Sequence, residues 1–148
     1  MKNNIAYIIS EITSITGHPP VKKALQKTVF LLEQKGIDLG FKYTLHFYGP
    51  YCAELDHETL KLNSDGVITI NYSQYGHKLK LNSEFGQPIE SDLPANQVSM
   101  AKEVIERYKA LSPSDLELLT TAIYAYEYTN AKMRCHVINN AKNQRRKV

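Results

Sequence analysis

The sequence predicts an α+β protein that is mainly helical. Its predicted core is winged-helix-like, with three helices, a short strand and a β-hairpin, and additional C-terminal helices follow. Two observations predict this class. Apolar residues recur at three- and four-residue steps in several segments, which is the period of an amphipathic helix. Between the helical segments lie short alternating runs rich in tyrosine, isoleucine and leucine, which are typical of strands.

The first two helices are marked by apolar stripes. The stripe of the first helix consists of Ile5, Ile8, Ile9, Ile12 and Ile15, and Gly17 followed by Pro19-Pro20 ends that helix. The second helix is predicted from about Val21 to Gly36. Its core face carries Val21, Ala24, Leu25, Thr28, Val29 and Leu32. Lys22, Lys23, Gln26 and Lys27 are predicted to lie mainly on the opposite side.

The strands are predicted from alternation and from turn residues. Residues 43–48 alternate as a single strand that Gly49 and Pro50 break, and Pro50 suits the first position of a third helix running to about Asn63. Two short strands at 67–72 and 78–81, joined by a polar segment, predict a β-hairpin or wing.

The C-terminal half is predicted to be helical after an irregular connector at 84–94. The fourth helix carries Val98, Ala101, Val104, Ile105, Tyr108 and Leu111 on one stripe. Ser112-Pro113 begins a fifth helix, whose core residues are predicted to be Leu116, Leu119, Ala122, Ile123 and Tyr126. A shorter last helix is predicted near 131–141. The whole chain is predicted to be one domain, with the core at 1–83, C-terminal helices at 95–141 and a basic tail at 142–148.

The net charge of +3 comes from the tail. Lys142, Arg145, Arg146 and Lys147 lie within the last seven residues, which leaves 14 basic and 15 acidic side chains in residues 1–141. Proteins that bind DNA through their body usually show a basic face. The bulk charge is therefore weak evidence for nucleic-acid binding.

The sequence also predicts a cytoplasmic protein that does not associate with membranes. No apolar run approaches the roughly 20 residues that would span a bilayer. The first residues lack the continuous apolar stretch and cleavage site of a signal peptide. Cys52 and Cys135 are too few for a disulfide framework and are expected to be reduced thiols.

No catalytic residue, metal site or cofactor is predicted. The five histidines and two cysteines lack the repeated spacing of a zinc site, and no Gly-rich phosphate loop or nucleophile elbow is present. Cys52 is expected to be a small buried apolar residue. A dyad of Cys52 with His46 or His57 stays open because dyads assemble in space, so a small enzyme of unrecognised type is a further alternative.

The predicted partner-binding residues lie around Gly49 and on the third helix. Tyr48 and Tyr51 flank Gly49-Pro50, where glycine permits the turn and the tyrosines either pack on it or point towards a partner. The third helix carries Glu54 and Glu58 and is acidic, so it suits a basic protein surface better than a polyanion. An ordinary solvated face is the simpler alternative for these acids.

The alternative function is a winged-helix DNA-binding transcriptional regulator. Its phosphate contacts would come from Lys22, Lys23, Lys27, Lys78, Lys80, Arg145 and Arg146. Tyr72, Tyr75 and His77 in the wing would supplement them by stacking on bases. Lysines on an exposed helix face more often serve only to solvate it.

Three segments carry a resemblance to known families: KALQKTVFLLE at 23–33, YTLHFYGPY at 43–51, and Glu54-Leu55 followed by Leu62 and GVI at 66–68. Together they resemble the YwgA-like family of small bacterial proteins and, more distantly, the Panacea domain of phage-associated and antitoxin proteins. Those families share an LQK…LL helix and an aromatic-x-Tyr-Gly-Pro segment ahead of a helix.

The resemblance implies a winged-helix-like core. For the Panacea proteins it also implies that a toxin is neutralised, or handed to a protease, by direct protein contact; for the YwgA-like family it implies no particular activity. We therefore expect a non-enzymatic, antitoxin-like or regulatory binding protein with a toxin-like or regulatory protein partner. DNA as a partner and a homodimer are left open.

Overall fold

The computed structural model describes residues 1–82 and 89–146 of the chain. Within these residues, the helices and strands in chain order are α1 (Asn4–Thr16), α2 (Lys22–Gln34), β1 (Thr44–His46), β2 (Gly49–Tyr51), α3 (Ala53–Ser64), β3 (Ile68–Asn71), β4 (Lys78–Leu81), α4 (Ala95–Tyr108) and α5 (Pro113–Arg146). The predicted α+β, mainly helical class is confirmed.

The strands form two separate antiparallel pairs within the described residues. β3 pairs with β4 from Ile68 opposite Leu81 to Asn71 opposite Lys78, which confirms the hairpin predicted as a wing. β1 pairs with β2 from Thr44 opposite Tyr51 to His46 opposite Gly49. The winged-helix-like arrangement of the core stays a prediction.

The single strand predicted at 43–48 is in fact half of a hairpin. The chain reverses at Phe47 and Tyr48, and Gly49 follows with a φ of 90°. Pro50 lies in β2 opposite Leu45, so the prediction that it begins the third helix is wrong. The helix begins only at Ala53, after Cys52, which is still extended with φ −125° and ψ 114°.

One hydrophobic core gathers side chains from all five helices and from β3 and β4. The apolar stripe of α1 is buried as predicted, the Asn3 side chain caps that helix through the amide of Ala6 at 2.9 Å, and Gly17 ends it in the left-handed conformation. The largest fully buried side chains of this core are Ile8, Ile9, Leu25, Leu32, Ile37, Leu55, Ile68 and Leu79. Each such side chain contributes about 1.5–3 kcal/mol to folding.

The fifth and sixth helices that were predicted separately form one helix, α5, of 34 residues. No glycine or proline occurs between residues 114 and 146, so nothing in the sequence breaks the helix. Among the side chains of α5 that the structure describes, the buried ones are Leu116 and Thr120, whereas Ala122 and Tyr126, predicted for the core, are exposed. Among the helices of the described residues, none is both long enough and apolar enough to cross a membrane.

α5 packs on α2 and on β2. The side of α2 that was predicted to face solvent is therefore covered, while its other side contributes Leu25, Val29 and Leu32 to the core. Gln26 and Lys27 are buried in consequence, and their predicted exposure is wrong. The periodicity of α2 could not reveal this second interface because the covering residues come from α5, some 90 positions later in the chain.

Candidate functional site

Polar residues of α2 hold the β1–β2 hairpin in place. Lys23, Gln26 and Lys27 are spaced at i, i+3 and i+4, so they lie on one face of the helix. All three contact the hairpin or the segment that follows it. The LQK sequence therefore positions the YGPY sequence, although the two are more than twenty residues apart.

Gln26 binds both backbone groups of Cys52. Its Nε2 donates to the Cys52 carbonyl oxygen at 2.9 Å, and its Oε1 accepts from the Cys52 amide at 2.9 Å. Both residues are buried, so neither backbone group can form a hydrogen bond with water in place of Gln26. This pairing keeps the backbone extended at Cys52, so α3 begins only at Ala53.

Lys27 is the buried anchor of β2. Its Nζ donates to the carbonyl oxygen of Pro50 at 2.8 Å, and only 3% of the residue is exposed. Burial lowers the pKa of Lys27 because it disfavours the charged amine, and the Glu117 carboxylate opposes that shift. The side chain cannot reach a DNA phosphate without leaving this site, so the structure gives Lys27 a scaffolding position.

Gly49 allows β2 to lie directly against α5. Its φ of 90° belongs to the left-handed region, which favours glycine. A Cβ at this position would overlap the hydroxyl oxygen of Thr121 and would lie 3.3 Å from the Nζ of Lys27. The positive φ that the sequence suggested is confirmed, and the close approach to α5 adds a second reason for glycine.

Two ion pairs connect α2 to the helices that surround the β1–β2 hairpin. Lys23 pairs with Glu117 of α5 at 2.9 Å, and its Nζ lies 5.2 Å from the centroid of the Tyr48 ring. Lys22 pairs with Asp56 of α3 at 2.9 Å. Lys22, Lys23 and Lys27 thus each have a partner inside the molecule, which weakens the basic patch predicted for them.

Tyr51 links the hairpin to α3. Its hydroxyl donates to Asp56 Oδ2 at 3.2 Å, and its ring packs against His46 with centroids 4.8 Å apart. Partial burial raises the pKa of Tyr51, and the nearby Asp56 carboxylate raises it further. Tyr51 is therefore half-buried and already bonded.

The residues at the end of the hairpin are exposed. Phe47 is fully exposed, and the exposed fractions of Leu45 and Tyr48 are 54% and 68%. We call Leu45, Phe47 and Tyr48 the hairpin tip. Of the predicted contact residues, only Tyr48 belongs to it; Glu54 is exposed and Glu58 half-buried on the neighbouring α3.

The sequence-based prediction missed the central residue of the tip, Phe47. The alternation of residues 43–48 predicts a single strand, which places Phe47 within that strand and not at a turn. A glycine two residues after Phe47 was the signal for a tight hairpin, because short β-loops often end on a left-handed glycine.

The remaining basic candidates lie elsewhere. Lys78 and Lys80 are exposed on β4. The start of α2 lies beside this strand, since Val21 forms a bridge to Lys78 and the Lys22 amide donates to the His77 carbonyl at 2.8 Å. The side chains of Arg145 and Arg146 lie outside the described residues.

Tyr72 and His77 of the wing pack edge to face, with ring centroids 4.5 Å apart, and Tyr75 is exposed. In the part of the chain that the structure describes, no three His, Cys, Asp or Glu side chains gather where they could hold a metal ion. Cys52 is buried in the hydrophobic core, as predicted for a small apolar residue.

Comparison with known proteins gives one informative similarity, and no family model matches the chain. The chain is similar to the uncharacterized protein YwgA of Bacillus subtilis (strain 168), with 28% identity over 123 residues that cover 78% of this chain and 71% of YwgA. This similarity supports a relationship with YwgA-like proteins. The more distant resemblance to the Panacea domain stays a prediction.

Proposed function

We propose that this chain is a non-enzymatic binding protein that contacts a protein partner through the hairpin tip. The observation that carries the proposal is the position of Phe47, a fully exposed aromatic side chain at the end of a hairpin with a buried and hydrogen-bonded base. Single exposed apolar residues are common on protein surfaces. Here three of them lie close together, Leu45 on β1 and Phe47 and Tyr48 on the turn that follows it.

The anchored base supports this function because it limits the entropy lost on binding. Lys27 and Gln26 fix the backbone at Pro50 and Cys52. Tyr48 lies beside the Lys23–Glu117 ion pair. A tip held in one conformation before binding loses less freedom when a partner covers it. Aromatic residues in such positions often contribute most of the binding energy of an interface.

The surroundings of the tip favour a partner with a basic surface. Glu54 is exposed on α3, close in sequence to the hairpin, while Lys22 and Lys23 are neutralised by Asp56 and Glu117. Complementary charge would steer such a partner towards the tip. A toxin-like or regulatory protein is the partner we propose, with the cytoplasm as the compartment, which two unpaired cysteines favour.

The DNA-binding regulator has less support. A phosphate that approached Lys22 or Lys23 would have to displace an existing carboxylate, and Lys27 is buried. The acidic α3 would repel the polyanion. Lys78 and Lys80 are the exposed candidates that remain among the described side chains.

The proposal predicts that Phe47→Ser weakens partner capture by about 30-fold or more, the effect of losing a residue worth at least about 2 kcal/mol at an interface. Folding should be unaffected because the Phe47 side chain has no packing to lose. Capture from extracts of the native host by the tagged full chain, followed by titration of the captured protein, measures the change.

The matched control is Tyr75→Ser, which removes an aromatic residue that is 85% exposed at the end of the other hairpin. It should leave both capture and thermal stability unchanged. Equal capture by the wild-type protein and the Phe47→Ser variant would remove the tip from the interface.

A further inference from the structure

A second site lies further along the face of α2 that carries Lys23 and Lys27, towards the C-terminal end of the helix. Between α2, α5 and the segment that leads into β1 is an open recess of about 340 Å³. We call it the aromatic recess. Its walls are formed by five aromatic residues and three polar ones: Phe30, Phe41, Tyr43, Tyr124, Tyr128, Glu33, Gln34 and Glu127.

The aromatic rings stand at large angles to one another. Phe30 and Tyr43 meet edge to face, with centroids 5.2 Å apart and planes at 78°, and Phe30 and Tyr124 are 6.4 Å apart at 41°. Rings in several planes offer their electron-rich faces in several directions, and a cation is attracted to such faces. One ring of the recess already has a cation beside it, since Lys132 Nζ lies 4.9 Å from the centroid of the Tyr128 ring.

Two carboxylates give the recess a negative charge. Glu33 is half-buried, and its Oε1 accepts from the Phe41 amide at 2.8 Å. With the side-chain amide of Gln34 turned so that its nitrogen faces Glu127, that nitrogen donates to Glu127 Oε2 at 3.1 Å. Among the described residues, neither carboxylate has a lysine or arginine partner. Burial raises the pKa of Glu33, as expected for a carboxylate without a compensating charge.

The hydroxyl group of Tyr43 is a third, independent indication. Its oxygen is buried and has no hydrogen-bond partner among the described residues. Buried polar groups are nearly always bonded, since an unmet hydrogen bond costs stability. A shift of the Tyr43 side chain would bring this oxygen to the surface of the recess, where an N–H group of a ligand could donate to it and to Glu33.

From these observations we propose that the aromatic recess binds an organic cation, namely an ammonium or guanidinium group. A free amine and a basic side chain of another protein carry the same group, and the experiment below separates the two sources. The volume of the recess is at the lower end of the range of ligand pockets, which suits a single cationic group and not a large ligand. This inference goes beyond the hairpin-tip contact and does not depend on it.

The test uses two cations, each with a neutral isostere. n-Butylammonium is compared with 1-butanol, and N-acetyl-arginine amide with N-acetyl-citrulline amide. Each is titrated into the ¹⁵N-labelled full chain, with the backbone amides of Phe41 and Gln34 as reporters. We expect saturable chemical-shift changes at these amides for at least one cation. Its neutral isostere should bind at least about tenfold more weakly.

Substitutions show whether the charge and the rings act as proposed. Glu33→Gln keeps an acceptor for the Phe41 amide but removes the charge, and should weaken cation binding by about tenfold. Tyr124→Leu should weaken it as well. Glu127→Gln changes an exposed residue, so it tests the charge even if Glu33→Gln fails to fold. The matched control is Glu54→Gln on α3, which should have no effect.

Tighter binding of n-butylammonium would identify a small amine as the source, and tighter binding of the arginine derivative would identify a protein side chain. The proposal is overturned if the neutral isosteres bind as well as the cations, or if the shifts occur away from Phe41 and Gln34. Unchanged binding in both glutamate variants would overturn it too. Phe47→Ser should leave these shifts unchanged, so failure of either proposal can be recognised separately.

Discussion

Replacing Gly49 with alanine is expected to lower the free energy of unfolding by about 2–5 kcal/mol, from a left-handed backbone conformation and from overpacking together. The φ of 90° is strained for any residue with a Cβ. The new methyl group would also overlap the Thr121 hydroxyl oxygen of α5. Either β2 or α5 must then move, which would disturb the bond from Lys27 to Pro50.

Two variants separate the two causes. Gly40→Ala places a Cβ at a φ of 78°, with no heavy atom within 4 Å among the described residues, and should cost only about 1–2 kcal/mol. Thr121→Ala removes the oxygen that clashes, so the double variant Gly49→Ala/Thr121→Ala should regain part of the loss. Urea denaturation of the wild-type protein and of these four variants provides the measurement. Equal losses for Gly49→Ala and Gly40→Ala would refute the close contact with α5.

The second large effect is expected from Gln26→Leu, which should lower the free energy of unfolding by about 2–4 kcal/mol. The buried Cys52 amide loses its partner, and the Cys52 carbonyl keeps only its bond from the Asp56 amide at 3.3 Å. The amide and carbonyl of Cys52 are both bonded to the Gln26 side chain at 2.9 Å. Leucine has a similar volume and leaves no large cavity, so the loss would report mainly on hydrogen bonding. Thermal and urea denaturation provide the measurement.

Gln26→Glu gives a characteristic pH dependence. The new carboxylate can accept from the Cys52 amide but faces the Cys52 carbonyl oxygen with no proton to donate. Burial beside that oxygen should raise the pKa of the introduced carboxyl above its unfolded value. The folded state then binds more protons than the unfolded state, so the deficit relative to wild type should shrink as the pH falls. Gln74→Leu in the exposed wing loop serves as the control and should change little.

Local patterns predicted much of the fold. The stripe of α1, the central residues Ala101, Val104 and Ile105 of the α4 stripe, and the alternation of β3 and β4 follow from short-range periodicity, and the structure confirms them. Leu111, predicted for the same stripe, lies beyond the end of α4 at Tyr108.

The β1–β2 hairpin was not predicted, because the alternation at 43–48 indicates one continuous strand, although Gly49 held the signal for a tight turn. Its attachment to α2 and α5 depends on tertiary contacts that a strand pattern does not contain. The continuity of α5 was missed although the sequence held the signal, namely the absence of glycine and proline.

The candidate site was only partly predictable. Tyr48 was identified because it neighbours a glycine and a proline, yet the anchoring role of Lys27 was hidden by the usual preference of lysine for water. The aromatic recess joins Phe30, Tyr43 and Tyr124, which are separated by up to 94 positions in the chain. No local spacing links these residues, so only the fold brings them together.

The most direct test of the central claim is site-specific photo-cross-linking from the hairpin tip. Benzoylphenylalanine at position 47 preserves an aromatic side chain, and the same group at position 75 is the matched control on the other exposed hairpin. After irradiation in the native host, we predict a product at position 47 that contains one distinct protein partner and is absent at position 75. A product that nuclease removes, a product made of two copies of this chain, or equal products at both positions would contradict the account.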